Sequence, residues 1–383
     1  MERKKIRIIF LHWCLVCGGA ESALLDLINL LDKEIFEITV FSIYGGGEWT
    51  DRFRSAGVTV VDSYTCITPQ KTLLGKIKNR LKAKKIYTIL NKKAGADLLK
   101  VCTPNDYDII ISFHLDPGHI AAGFSNSTKT IRYIHGDATT NAELQQQLQM
   151  LCKANVIYNK IICVSECAKS GFQKFYTLPS NVSVCLNPIN SDKIIMKSRE
   201  KRGVDIQGEY ICAIGRLVQV KGFVRLVRMF SMIAAEIPNT KLVIIGDGPE
   251  KAQIQDEINR YHLEDKVLLL GYLANPYPYL LHARFSVCSS YSEGLHIASM
   301  ESILLGIPVL SIYPTITELM GSEQCGMVVS SEEDFIYWMK KMCTDDELYA
   351  KMKQAAEKRS SSFTSKVLTD IVTNEYLDVL TSD

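Results

Sequence analysis

The chain has 383 residues, of which 47% are hydrophobic and 22% charged, with a net charge of +2. That length predicts two domains or more, and the balance is that of a globular chain rather than a disordered or fibrous one. The twelve cysteines follow no framework spacing, which excludes a disulfide-stapled scaffold and reads as free thiols in a reducing compartment.

No run of residues approaches the ~20 apolar positions of a membrane-spanning helix. The polar start Met1-Glu-Arg-Lys-Lys5, followed by six apolar-rich residues, does not read as a signal peptide, and none is expected. A cytoplasmic protein is expected, at most peripheral at a membrane. Residues 1–190 carry 23 Lys+Arg against 16 Asp+Glu, and the remainder 21 against 26, so the halves stand at +7 and −5. The first half is therefore expected to face something anionic.

Ile6-Arg-Ile-Ile-Phe-Leu11 reads as a buried strand, and Gly18-Gly19 then opens a helix from Ala20 to Leu31 with apolar residues at helical spacing. Strands are predicted at 36–41, 58–61, 108–112, 130–134, 160–164 and 182–186. Apolar strands alternating with helices predict a mostly parallel, doubly wound sheet. The segment 71–93 breaks the alternation: it holds nine basic residues and no acidic one, with an approximate apolar face. Such a segment fits either an anionic membrane surface or an ordinary packed helix; without aromatic interleaving it does not predict nucleic-acid binding.

A polar stretch after Asn187-Pro188 reads as a linker. A second series follows, with strands at 209–214, 241–246, 267–270, 285–288 and 308–312, and a helix over 223–236. Two similar α/β halves are thus expected: residues 1–190 and 191–365, with an amphipathic helix over 366–383.

The candidate chemistry is concentrated in the second half. Glu293 and Glu301 stand eight positions apart in Tyr291-Ser-Glu-Gly-Leu-His-Ile-Ala-Ser-Met-Glu301. The first falls in a loop before a helix N-terminus, an anion-binding feature; the second lies on that helix, where a carboxylate can accept from two sugar hydroxyls. A ligand with phosphate and sugar, a nucleotide-sugar, fits both. Arg216 and Lys221, flanked by Gly215 and Gly222, offer cations and backbone N–H groups to a diphosphate without a metal ion. The lone Cys14-Leu-Val-Cys17 and the lack of an aptly placed Asp-x-Asp predict no metal site. A full G-x-G-x-x-G is missing, which disfavours a nicotinamide dinucleotide. His114 and His135 both end predicted strands, where open sheets bind ligands, and position alone does not separate them.

Glu293-Gly294 through Glu301, with Gly306-Ile-Pro308, resembles the E-x7-E signature of retaining glycosyltransferases of family 4, which have the GT-B fold. Gly215 to Gly222 resembles that family's diphosphate turn, Gly246-Asp-Gly-Pro-Glu250 its next turn, and Gly18-Gly-Ala-Glu21 its first loop. Val164-Ser165-Glu166 and Asn187-Pro188 fall where later motifs are expected. The resemblance implies two Rossmann-like domains across a cleft: 1–190 for the acceptor, 191–365 for the nucleotide-sugar, and 366–383 packing back on the first. It implies that Arg216 and Lys221 hold the donor diphosphate and Glu301 the ribose. Glu293 would contact the sugar, with Gly294 and Leu295 giving N–H groups. His135 would lie beside the transferred sugar, Gly19 near the phosphate, and Tyr272 near the base. It further implies a hexosyltransferase that needs no metal or cofactor, with a UDP-sugar donor and a saccharide or polyprenyl-linked acceptor. A nucleotide-sugar epimerase or hydrolase, or a non-catalytic nucleotide-sugar-binding protein, are the alternatives. His296, and the missing Gly-Gly before Glu318, depart from the family pattern and bear on the donor sugar.

Overall fold

The computed structural model describes residues 4–12, 14–16, 18–42, 45, 47–62, 106–114 and 128–381. The basic segment 71–93 lies outside them. The chain divides into two units, Met1–Pro188 with Leu368–Asp383, and Ile189–Val367.

In the first unit, strands β1 (Ile6–His12), β2 (Phe36–Ser42), β3 (Thr59–Asp62), β4 (Ile109–His114), β5 (Lys129–Ile134), β6 (Lys160–Cys163) and β7 (Val182–Val184) form one sheet. Its order is β3-β2-β1-β4-β5-β6-β7, and every pairing is parallel. Parallel strands are covered on both faces, which is why Ile8, Ile9, Phe10 and Leu11 are all fully buried. Chain order reverses beside β1, so β1 and β4 flank a topological switch point, where open α/β sheets bind ligands beyond the strand C-termini. His12 and His114 are the last residues of those two strands.

The helix Ser365–Thr381 contributes its end to this unit. Tyr376 is fully buried among Phe10 and Phe36, with ring centroids at 6.4 and 6.3 Å. Its hydroxyl lies 2.8 Å from that of Tyr133. Glu375 pairs with Lys160 and accepts from Ser183 Oγ at 2.9 Å. Burying one such aromatic contributes about 2–3 kcal/mol.

In the second unit, β8 (Glu209–Ile214), β9 (Thr240–Ile245), β10 (Val267–Gly271), β11 (Phe285–Cys288), β12 (Val309–Ser311) and β13 (Gly326–Val328) form a second parallel sheet, ordered β10-β9-β8-β11-β12-β13. The switch point lies between β8 and β11. The loops after those two strands are 215–222 and 289–296, the segments that carry Lys221 and Glu293. Among the described residues no helix is long and apolar enough to cross a membrane.

Candidate active site

The loop after β8 is built to approach the loop after β11. It leaves the strand at Gly215, makes one 3-10 turn at Gln219–Lys221, and enters the helix Phe223–Ser231 through Gly222. Gly222 has φ +67°, and a Cβ there would stand 2.2 Å from the Ser289 carbonyl oxygen, so only glycine allows this approach. Ser289 Oγ donates to the Lys221 carbonyl at 3.0 Å, and Tyr291 N to that of Val220 at 2.7 Å. Arg225 knits the far side: Nε donates to Ser289 O at 2.8 Å and Nη2 to Ser290 O at 2.7 Å, while the guanidinium covers the Tyr291 ring at 3.7 Å.

These contacts bring together two predicted residues that are far apart in sequence. Lys221 Nζ donates to both carboxylate oxygens of Glu293, at 2.7 and 3.0 Å. Ser290 Oγ donates to Glu293 Oε1. Glu293 is only 8% exposed, so its charge depends on these donors; removing Lys221 would leave it uncompensated, at a cost of roughly 3–5 kcal/mol. Arg216 lies on the same loop with its side chain exposed, and makes no ion pair among the described residues.

Gly294 and Leu295 are buried in the loop that leads into the helix Ile297–Leu304. Glu301 is on that helix, and Tyr277 Oη donates to its Oε1 at 3.0 Å. Tyr272, just after β10, is 58% exposed and presents its ring for stacking. His296, the departure from the family pattern, lies at the end of the Glu293 loop. It is buried, with Nδ1 2.7 Å from Ser299 Oγ, and it bonds the Cys288 thiol. Burial opposes charge on His296, but Cys288 and Glu293 outweigh it and raise its pKa; burial likewise raises the Cys288 thiol, and His296 overcomes this to lower it. His296 thus ties the Glu293 loop to Cys288 and Ser299.

The first unit gathers three histidines at its switch point. His12 Nδ1 lies 3.1 Å from the Cys14 carbonyl oxygen and its Nε2 4.0 Å from Glu21 Oε1. The His12 and His114 rings stack at 5.2 Å, and His114 meets His135 at 6.1 Å. Burial, with His114 beside it, lowers His12 to about 3; burial, with Arg132 nearby, lowers His114 to about 4. Burial and the two neighbouring rings hold His135 well below the ordinary value, so its ring is neutral at pH 7. Gly18 lets the Glu21 carboxylate fold beneath it, since a Cβ would stand 2.3 Å from Oε2, whereas Gly19 faces open space at the start of the helix Gly19–Leu30. Position in the sequence did not single out His12, Arg132, Tyr277 or Ser290.

Two described groups offer metal-ligand atoms within 4.8 Å of one another: His12, Glu21 and His114, and Cys288, Glu293 and His296. In the second, the Lys221 ammonium already occupies the carboxylate.

Residues 195–359 match the family model of Glycosyl transferases group 1. The chain is 28% identical over 234 residues to an uncharacterized glycosyltransferase of Methanocaldococcus jannaschii, covering 56% of this chain and 57% of that one. It is 29% identical over 195 residues to the N-acetylgalactosamine-N,N'-diacetylbacillosaminyl-diphospho-undecaprenol 4-alpha-N-acetylgalactosaminyltransferase of Campylobacter jejuni, covering 50% of this chain and 52% of that one. The matched region thus spans little more than half the length of these curated relatives. Anabaena HepE, solved with UDP and glucose, superposes with a TM-score of 0.74 at 18% identity, covering 97% of this chain and 99% of HepE. Residues 195–359 therefore match the group 1 glycosyltransferase model, and the chain has the GT-B fold of two Rossmann-like units.

Proposed function

We propose that the chain is a retaining, family 4 glycosyltransferase that moves a hexose from a UDP-sugar to a saccharide or lipid-linked saccharide in surface-polysaccharide assembly. The observation that carries this reading is the Lys221–Glu293 pair, held at the switch point of the second sheet with Glu301 on the adjoining helix. The relatives support the donor and acceptor classes: HepE was solved with UDP and glucose, and the Campylobacter enzyme is named for a diphospho-undecaprenol-linked saccharide.

In the proposed mechanism Arg216 and Lys221 take the donor diphosphate. Glu293 orients the sugar, with Gly294 and Leu295 giving N–H groups. Glu301 accepts from the ribose, Tyr272 stacks on the base, and Gly19 approaches the phosphate. As the glycosidic bond breaks, charge grows on the diphosphate, and fixed cations stabilise that charge more than the ground state. The departing phosphate oxygen takes the proton of the attacking hydroxyl on the same face, so configuration is retained and no metal is required. The neutral His135 hydrogen-bonds the sugar beside this centre. Lys221→Ala and Glu301→Ala are each expected to abolish most transfer from a UDP-sugar, and near-normal kcat/KM in either would sink the assignment. Donor consumption measured with and without acceptor separates transfer from hydrolysis or epimerisation.

The basic segment 71–93 is proposed to rest on the anionic inner face of the plasma membrane. Changing Lys82, Lys84 and Lys85 to Glu is expected to reduce co-sedimentation with anionic liposomes; unchanged pelleting would count against it.

A further inference from the structure

Among the described residues, the first unit buries a cation with no counter-ion. Arg132, on β5, is 2% exposed. Its Nη1 donates to Ser112 Oγ at 2.9 Å and its Nη2 to Gln147 Oε1 at 3.3 Å, while Nε has no partner. Both acceptors are neutral. Among the described residues no carboxylate lies within ion-pair distance of the guanidinium. A buried charge without an opposite charge is costly, and the guanidinium fork is shaped for phosphate and carboxylate.

Arg132 also lines a cavity of about 100 Å³, with His114, His135, Asn141 and Gln147 in its wall. This is room for about three waters by their liquid volume. Two further polar atoms here are buried without a partner, His114 Nδ1 and His135 Nε2. His135 is bonded to the Phe113 carbonyl; with Nε2 unpartnered, the donating nitrogen is Nδ1 and Nε2 carries a lone pair. One small cavity thus holds an unpaired guanidinium donor and an imidazole acceptor.

The geometry points to an anion site: the cavity takes a phosphate or carboxylate group of the acceptor on Arg132, next to the sugar hydroxyl that His135 Nε2 accepts from. This rests on the proposed transferase reading and narrows the acceptor to molecules with a negative charge beside the reacting hydroxyl. It assigns to Arg132 a role in acceptor choice that the donor-side residues cannot supply.

The test is binding of inorganic phosphate, and in a second arm malonate, to the full chain by calorimetry. UDP affinity is read on the same samples, so that failure of the donor reading and failure of the anion site are seen separately. Wild type is expected to bind one of the two anions at millimolar levels, the preferred arm telling phosphate from carboxylate. Arg132→Gln is expected to weaken that binding by at least about tenfold, the loss of a charged hydrogen bond. Gln147→Glu provides a variant that does not depend on whether Arg132→Gln folds. It sets a carboxylate against Nη2 and is expected to raise Tm while abolishing anion binding, since the guanidinium is then satisfied internally. No anion binding by wild type at tens of millimolar, or undiminished binding by Gln147→Glu, would overturn the proposal.

Discussion

At the scale of single residues, Tyr277 shows what position in the chain hides. Its hydroxyl donates to Glu301 Oε1 at 3.0 Å, with 24 positions separating the two residues. A carboxylate that is to take two ribose hydroxyls, as proposed for Glu301, must be held in one orientation, and the Tyr277 phenol helps to fix it. Tyr277→Phe removes the bond and little volume. The expected outcome is a KM for the donor raised about three- to tenfold with kcat nearly unchanged, as for loss of binding that is equal in ground and transition state. A fall in kcat at unchanged KM would show that Tyr277 does not act through donor binding. Glu293 and Glu301 were legible because their spacing is local. The partner of Glu293 was not, because Lys221 lies 72 positions away, and only the meeting of two sheet-end loops joins them. The contacts of His296 were hidden for a related reason. Nothing in its sequence neighbourhood says that the ring folds back onto Ser299 and Cys288 rather than outward.

At the scale of elements, most of the strands were legible because a parallel sheet covered on both faces needs continuous apolar runs. Ile6–His12, Phe36–Ser42 and Glu209–Ile214 fall within a residue of their predicted bounds. The strand Gly326–Val328 was missed: three residues that include a glycine give no run to read. The helix expected over 223–236 stops at Ser231. Beyond it Met232 N and Ile233 N bond three residues back, to Met229 O and Phe230 O. Ile233, Ala234 and Ile237 stay buried all the same, so the apolar spacing runs on while the backbone tightens into turns. Hydrophobic periodicity reports the buried face and not the hydrogen-bond register. The loop after β8 is the converse case, where Gly215 and Gly222 marked the turn and the structure supplied the reason at Gly222, whose Cβ position is filled by the Ser289 carbonyl.

At the scale of the molecule, the histidines set opposite pH linkages in the two units. In the first, His12 and His114 are lowered from 6.5 to about 3 and about 4, chiefly by burial, and His135 is held well below its ordinary range. Below pH 6.5 the unfolded chain binds protons on all three that the folded unit refuses. Stability therefore falls as pH drops from about 6.5 toward 4, each histidine adding a slope of about 1.4 kcal/mol per pH unit. In the second unit the described, shifted histidine is His296, and its pKa is raised. Its contribution is present below the ordinary value and fades only as pH rises through the folded value, so acid does not remove it. The first unit is expected to unfold at a higher pH than the second. Tryptophan fluorescence can follow each, since Trp13 and Trp49 lie in the first and Trp338 in the second. In acid titrations, a Trp338→Phe variant should report the earlier transition and a Trp13→Phe, Trp49→Phe double variant the later one. His12→Asn, which keeps a donor for the Cys14 carbonyl, should flatten the early slope by about a third of the three-histidine sum. Coincident transitions in the two reporters, or an unchanged slope in His12→Asn, would show that these buried rings do not govern acid stability.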